Sequence, residues 1–111
     1  MAMHMDDLLQ VVVDEGASDL HLEVGVPPVI RLHGGLVHMD LPVLGPEDTE
    51  ILMKAITSEN HIQRVREQGG TDFGFAYGDQ ARFRVSVFKE KGNYGLALRL
   101  IPNKLMSLDQ I

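Results

Sequence analysis

The strongest constraint on the fold is an alternation of apolar and polar residues in the last third of the chain. Apolar side chains recur at every second position in three successive runs, 72–77, 82–88 and 94–101. Successive side chains of a β-strand point to opposite faces of a sheet, so this period predicts three half-buried strands. Glycine-containing turns at 78–79 and 91–93 separate the runs. Because short turns join antiparallel neighbours, we expect an antiparallel sheet.

In the first third of the chain the spacing of apolar residues changes once, from that of a helix to that of a strand. The apolar residues of 5–13 have the spacing of one helix face, and Gly16 is a typical helix end. The alternation in 18–24, 29–33 and 37–41 then predicts three strands, with Gly34-Gly35 as the tight turn between the second and the third.

Two helices are predicted between the two groups of strands. Pro46 opens the first at a favoured early position, and its predicted buried face consists of Ile51, Leu52, Ala55 and Ile56. Ser58 is expected to cap the second, which Gly69-Gly70 ends. The order is therefore helix, three strands, two helices, three strands. This order predicts one α+β domain, a largely antiparallel sheet of about six strands with helices packed on it.

Composition excludes several classes of protein. The chain has 111 residues, enough for one domain, and no cysteine, which excludes disulfides and thiolate metal sites. Its net charge is -6, so we expect no nucleic-acid partner. It contains no apolar run near the roughly 18 residues of a membrane span, so we expect no insertion into a membrane.

The usual catalytic motifs are absent from the sequence. There is no GxxxxGK[ST] or GxGxxG phosphate loop and no HExxH metal motif. Asp19, His21 and Glu23 would share one strand face near His33, an arrangement that could bind zinc or iron. Alternating polar residues are equally typical of any solvated sheet face, so we expect no metal site.

Arginines are the more informative candidates. Residues 82–104 hold six of the ten basic residues and only one acid, Glu90. Arg82 and Arg84 project from one face of a strand, and Arg99 lies on the next strand, within cross-strand reach of Arg84. Guanidinium groups held on strands suit phosphate oxygens. The alternative is a set of surface ion pairs with Asp19, Glu23 or Asp72, and the spacing alone favours this alternative.

Several short phrases, taken together, resemble a known family. They lie in order along nearly the whole chain: GASDLHL at 16–22, PPVIR at 27–31, PEDT at 46–49, GTDFGF at 70–75, RFRV at 82–85 and LRLIP at 98–102. This pattern is similar to the N-terminal domain of the PilT-type twitching-motility ATPases, within the type II/IV secretion ATPase superfamily. Ser86 departs from it, since an asparagine often follows Arg-Phe-Arg-Val in the family.

The resemblance implies a fold and a function. It implies a PAS-like N-terminal domain over 1–102 and, over 103–111, the start of a linker to a RecA-like ATPase domain. The parent would be a bacterial, cytoplasmic homo-hexamer at the inner-membrane pilus base that retracts type IV pili with ATP and Mg. Its partners would be the ATPase domains of its own and neighbouring subunits and the pilus platform protein. This chain, lacking a P-loop, would not be an enzyme by itself.

The resemblance also implies a role for the arginines. By motif match, Arg84 and Arg99 would reach the phosphates of ATP bound in a neighbouring catalytic domain, with Arg82 a weaker candidate. The resemblance implies that no catalytic site is complete within this chain. It also makes metal binding by His21 less expected. The alternative function is a stand-alone PAS-like module that binds a small ligand or a protein without ATPase activity.

Overall fold

The computed structural model describes residues 4–102, and the predicted linker at 103–111 lies outside them. The described residues form three helices and six strands in the expected order. The elements are α1 (Met5–Glu15), β1 (Asp19–Leu22), β2 (Val29–Leu32), β3 (Gly35–His38), α2 (Pro46–Ile56), α3 (Glu59–Gln68), β4 (Gly70–Tyr77), β5 (Ala81–Glu90) and β6 (Asn93–Pro102). The predicted α+β class is confirmed.

Two helices end and begin at the residues that the sequence indicates. Gly16 follows α1 with φ of 72°, and its N–H donates to the carbonyls of Val12 and Val13. Such a left-handed residue satisfies carbonyls that the helix leaves unpaired. At the start of α3, the hydroxyl of Ser58 accepts a hydrogen bond from the backbone N–H of His61 at 3.4 Å, as a cap should.

The six strands form one sheet in the order β3-β2-β1-β6-β5-β4. Each pair of neighbours among the described strands is antiparallel. The two three-strand groups meet where β1 pairs with β6, with Leu20 opposite Leu98. The first and the last strand of the chain therefore lie side by side in the middle of the sheet.

All three helices pack on one face of this sheet and enclose the core. The inward residues of β1, β5 and β6 alternate with outward ones, as the period of two requires. The fully buried side chains from these strands are Leu20, Leu22, Phe83, Val85, Val87, Leu96 and Leu98. They meet the buried faces of the helices, which include Leu8, Leu9, Val12, Leu52, Met53, Ile62 and Val65. The opposite side of the sheet carries the arginines.

The prediction for the third strand is wrong at both ends. The turn before β3 is formed by His33 and Gly34, both with positive φ (51° and 83°), and Gly35 already belongs to β3. The strand ends at His38 because the chain turns sharply there, the N–H of Leu41 donating to the carbonyl of Met39 at 2.8 Å. Met39 and Leu41 are therefore outside the strand.

The predicted buried face of α2 is also partly wrong. Leu52 and Met53 are buried, whereas Ile51 is 63% exposed and Ala55 is exposed. The helix is rotated because Thr49 occupies an inward position, and its hydroxyl donates to the carbonyl of Pro46 at 3.3 Å. A buried hydroxyl that has a local acceptor is tolerated in a core. The polarity of Thr49 therefore gave no indication that this residue lies inward.

Candidate anion-binding face

The side of the sheet opposite the helices, called the open face below, carries a row of charged residues across four strands. Strand registers place Arg31 opposite Asp19, Asp19 opposite Arg99, Arg99 opposite Arg84 and Arg84 opposite Gly74. The four charged positions belong to β2, β1, β6 and β5, and the row ends at the uncharged Gly74 on β4. One side of an antiparallel sheet commonly faces solvent, but a row with three arginines and one carboxylate has an excess of positive charge.

Arg84 and Arg99 lie directly opposite each other at the centre of this excess. The predicted cross-strand proximity is thus present in the structure. Like charges at directly opposite positions repel each other. Within residues 4–102 no acidic side chain pairs with Arg84. Its neighbour on the other side, Gly74, has no side chain and leaves open space. The guanidinium of Arg84 is therefore exposed and free to meet an anion.

Arg99, in contrast, is already engaged by a carboxylate. Its Nε donates to Oδ2 of Asp19 at 3.4 Å. The Arg99 side chain is 72% exposed, whereas that of Asp19 is 11% exposed. The carboxylate also accepts a 2.7 Å hydrogen bond from the hydroxyl of Ser18, and Nε of Arg31 lies 3.9 Å from its Oδ1.

The environment of Asp19 favours its charged form. Burial acts to raise the pKa of its carboxyl group, but the hydrogen bond from Ser18 and the charge of Arg99 outweigh it and lower the pKa below the ordinary value. Hydrogen bonds and an opposite charge favour the ionised carboxylate for the same electrostatic reason. The row therefore contains a permanent negative charge at neutral pH.

The two interpretations left open by the sequence apply to different arginines. Arg99 forms an ion pair with Asp19, one of the three predicted acidic partners. Arg84 forms no such pair among residues 4–102. The sequence analysis did not include Arg31 in the site. The alternation of side chains in β2 indicated that Arg31 lies on the same strand face as Val29. Only the pairing of β2 with β1 brings Arg31 to Asp19.

A surface cavity lies beside the arginine pair. Its volume is about 260 Å³, and small Ala97 lies between His21 and Ser86 at its centre. Sites for whole small molecules usually measure about 300–1,000 Å³. This cavity is better matched to one group of a larger ligand than to an entire nucleotide. Its lining residues are Asp19, His21, Arg84, Ser86, Ala97, Leu98 and Arg99.

Arg82 is on the same face but outside the charged row. It lies opposite Ile101 on β6 and Ala76 on β4. It lines a second cavity, of about 270 Å³, that also includes Arg84. Arg82 is thus adjacent to the pair without facing Arg99.

The histidines and acids considered for a metal are dispersed. His33 lies in the turn before β3, away from the strand position expected for it. In the part of the chain that the structure describes, no three histidine, cysteine or carboxylate side chains are grouped so that they could hold a metal ion. None of the helices within 4–102 is long and apolar enough to cross a membrane.

Comparisons with known proteins connect this sequence and fold to one family. No family profile matches the chain. It is 34% identical, over 98% of its length, to the type IV pilus retraction ATPase PilT of Pseudomonas aeruginosa, and 28% identical to the type IV pilus ATPase PilU of that organism. A crystal structure of the pilus retraction motor PilT with bound ADP superposes with a TM-score of 0.84 at 37% identity over 91% of the chain.

These proteins are much longer than the chain. It spans about a third of each, 32% of PilT and 28% of PilU, and 30% of the chain in the crystal structure. The matches nevertheless extend over nearly all of its own residues, in sequence and in fold. The chain is therefore a homologue of the PilT-type ATPases and corresponds to their N-terminal domain.

Proposed function

We propose that the chain is the subunit-bridging N-terminal domain of a hexameric ATPase that powers type IV pilus retraction. In this proposal Arg84 and Arg99 reach the phosphates of ATP bound in a neighbouring catalytic domain. The supporting observation is their directly opposed position on the open face, where Arg84 has no acidic partner within residues 4–102. An exposed, uncompensated guanidinium beside a second one suits a terminal phosphate, whose negative charge is spread over its oxygens.

The remaining parts of the site would belong to the ATPase domain. The chain has no GxxxxGK[ST] loop, so its own residues can meet outer phosphate oxygens but cannot form the cradle that holds the nucleotide and its Mg. The chain's contribution is to bring positive charge to the phosphate when the two domains meet. Such a charge stabilises the transition state of phosphoryl transfer.

The mechanical consequence follows from the position of the arginines on strands. A sheet whose other face is covered by three helices moves as one body, so two arginines held on β5 and β6 would transmit a change at the phosphate to the whole domain. Closure on ATP and release after hydrolysis would reorient the domain against its neighbour. The proposed location is the cytoplasmic side of the inner-membrane pilus base, in contact with the platform protein.

The test is ATP turnover by the full-length parent hexamer. Arg84→Gln and Arg99→Gln are each expected to lower kcat, by about 10³-fold where the group acts as an arginine finger, with a smaller effect for Arg82→Gln. Arg64→Gln, on the exposed surface of α3, is the matched control and should leave kcat unchanged. Unchanged turnover in both Arg84→Gln and Arg99→Gln would reject the proposed role of the two arginines.

A further inference from the structure

The ion pair between Asp19 and Arg99 raises a question about the proposed phosphate contact, because Arg99 cannot leave a buried carboxylate without cost. The Asp19 side chain is 11% exposed, so it loses much of its hydration in the fold. Removing one partner of a buried ion pair leaves an uncompensated charge and is strongly destabilising. A usable Arg99 therefore requires another group that keeps Asp19 neutralised.

Arg31 is placed to be that group. Its Nε lies 3.9 Å from Oδ1 of Asp19, the oxygen that Arg99 does not bind. Its Nη1 also donates to the carbonyl of Gly34 at 3.3 Å. The guanidinium of Arg31 thus has a second contact, with the backbone of the turn after β2, that does not involve Arg99.

Arg99 is closer to Asp19 than Arg31 is, but its side chain has no second polar contact among the described residues. Within residues 4–102 its only side-chain hydrogen bond is the 3.4 Å contact from Nε, so its two Nη groups remain available. Its side chain is 72% exposed, against 41% for Arg31. The more exposed arginine, with a single long hydrogen bond, is the one that can move.

We propose that Asp19 and Arg31 act as positioning residues for the anion site: Asp19 holds Arg99 in place when no phosphate is present, and Arg31 keeps Asp19 neutralised when Arg99 turns to a phosphate. This inference rests on the proposed function, since it describes how that site is regulated. The open-face row then has two arrangements. In one, Asp19 is shared by two arginines; in the other, Arg31 alone pairs with Asp19 while Arg99 and Arg84 bind the anion.

The exchange is tested on the 111-residue chain with sodium triphosphate as the probe. The ¹H–¹⁵N signals of the arginine Nε–H groups report which guanidinium changes partner during a titration at about 0.15 M salt. Triphosphate should shift the Nε–H signals of Arg99 and Arg84 and leave that of Arg31 nearly in place. By linkage, it should also raise the pKa of Asp19 as measured from its carboxyl carbon, because a competing anion removes one of its cations.

Two variants then separate exchange from general charge. Asp19→Asn releases Arg99 and should tighten triphosphate binding by about fivefold or more. The control is Asp72→Asn, which removes an exposed acid on the open face beside Arg84, with no ion pair to Arg99. It should act only through the loss of a nearby screened charge, about twofold or less. In an Arg99→Gln background the additional gain from Asp19→Asn should disappear.

Arg31→Gln gives the second, independent cycle. In this variant only Arg99 can neutralise Asp19, so Arg99 is harder to release. Triphosphate binding should therefore weaken in the wild-type background but not in the Asp19→Asn background. A loss that persists without Asp19 would indicate general charge and overturn the inference. An Arg99 signal that does not respond to triphosphate, or equal gains from Asp19→Asn and Asp72→Asn, would overturn it too.

The two proposals can fail separately. Exchange in the isolated chain together with unchanged turnover of Arg99→Gln in the full-length parent would reject the proposed function and leave the exchange standing. If Arg99→Gln lowers turnover but the effects of the Asp19 and arginine variants on triphosphate binding are additive, the exchange is rejected and the proposed function stands.

Discussion

The two faces of the sheet show how the same strands serve two purposes. On the covered face, the inward side chains of β5 and β6 are almost completely buried, with Val85, Leu96 and Leu98 between 0% and 1% exposed. On the open face, one residue further along the same strands, Arg84 and Arg99 are exposed and oppose each other. Burial of apolar area stabilises the fold, whereas the open face places two like charges opposite each other, which repel. The covered face thus holds the fold together, and the open face carries the charges on which the proposed function depends.

The largest expected difference between the faces is in stability. Leu98→Ala should lower the free energy of unfolding by about 2–5 kcal/mol, since it opens a cavity beneath β6. Arg84→Gln, on the open face of the neighbouring strand β5, should change the free energy of unfolding by less than about 0.5 kcal/mol. Urea denaturation of both variants measures this, and comparable losses would contradict the division between the faces.

Asp19 is the exception on the open face, because it is a buried charge. Asp19→Asn should lower the free energy of unfolding by about 1.5–3 kcal/mol at neutral pH, the usual contribution of hydrogen bonds to a charged group. Its folded pKa is lowered, so this stability is present above the unfolded pKa and is lost as the pH falls through the folded pKa.

The pH dependence provides the control for that prediction. The difference between wild type and Asp19→Asn should be constant from about pH 5 to 8 and should shrink below about pH 4. Denaturation curves across this range measure it. A difference that stays the same at low pH would show that packing, not charge, makes Asp19 important.

The smallest expected effect concerns a packed spot on the open face, the contact between Gly95 and Phe88. A Cβ added at Gly95 would lie 2.3 Å from Cε1 of Phe88, the residue opposite it on β5. Gly95→Ala therefore forces the ring aside and should lower the free energy of unfolding by about 0.2–1 kcal/mol, the range of a cross-strand contact. In a Phe88→Leu background the same change should have less effect, as thermal denaturation of the four proteins would show.

Local features of the fold were predictable because their causes are local. The glycine at 16 ends α1 through its own φ, and Ser58 caps α3 through a residue three positions later. The alternation in β5 assigned Arg82 and Arg84 to one face and Phe83 and Val85 to the other. The burial of Thr49 and the exposure of Ile51 were not predictable, since the rotation of α2 depends on how the helix packs on the sheet.

The sequence by itself determined that the chain forms an α+β domain and that Arg84 and Arg99 lie on adjacent strands, because a period of two and a short turn dictate both. Only the tertiary structure decided which arginine is paired. Asp19 and Arg99 are 80 residues apart in the chain and meet because β1 inserts beside β6. No local pattern encodes that pairing. It arises from the joint burial of Leu20, Leu22, Leu96 and Leu98 on the covered face, which fixes the register and thereby places the charges opposite each other on the open face.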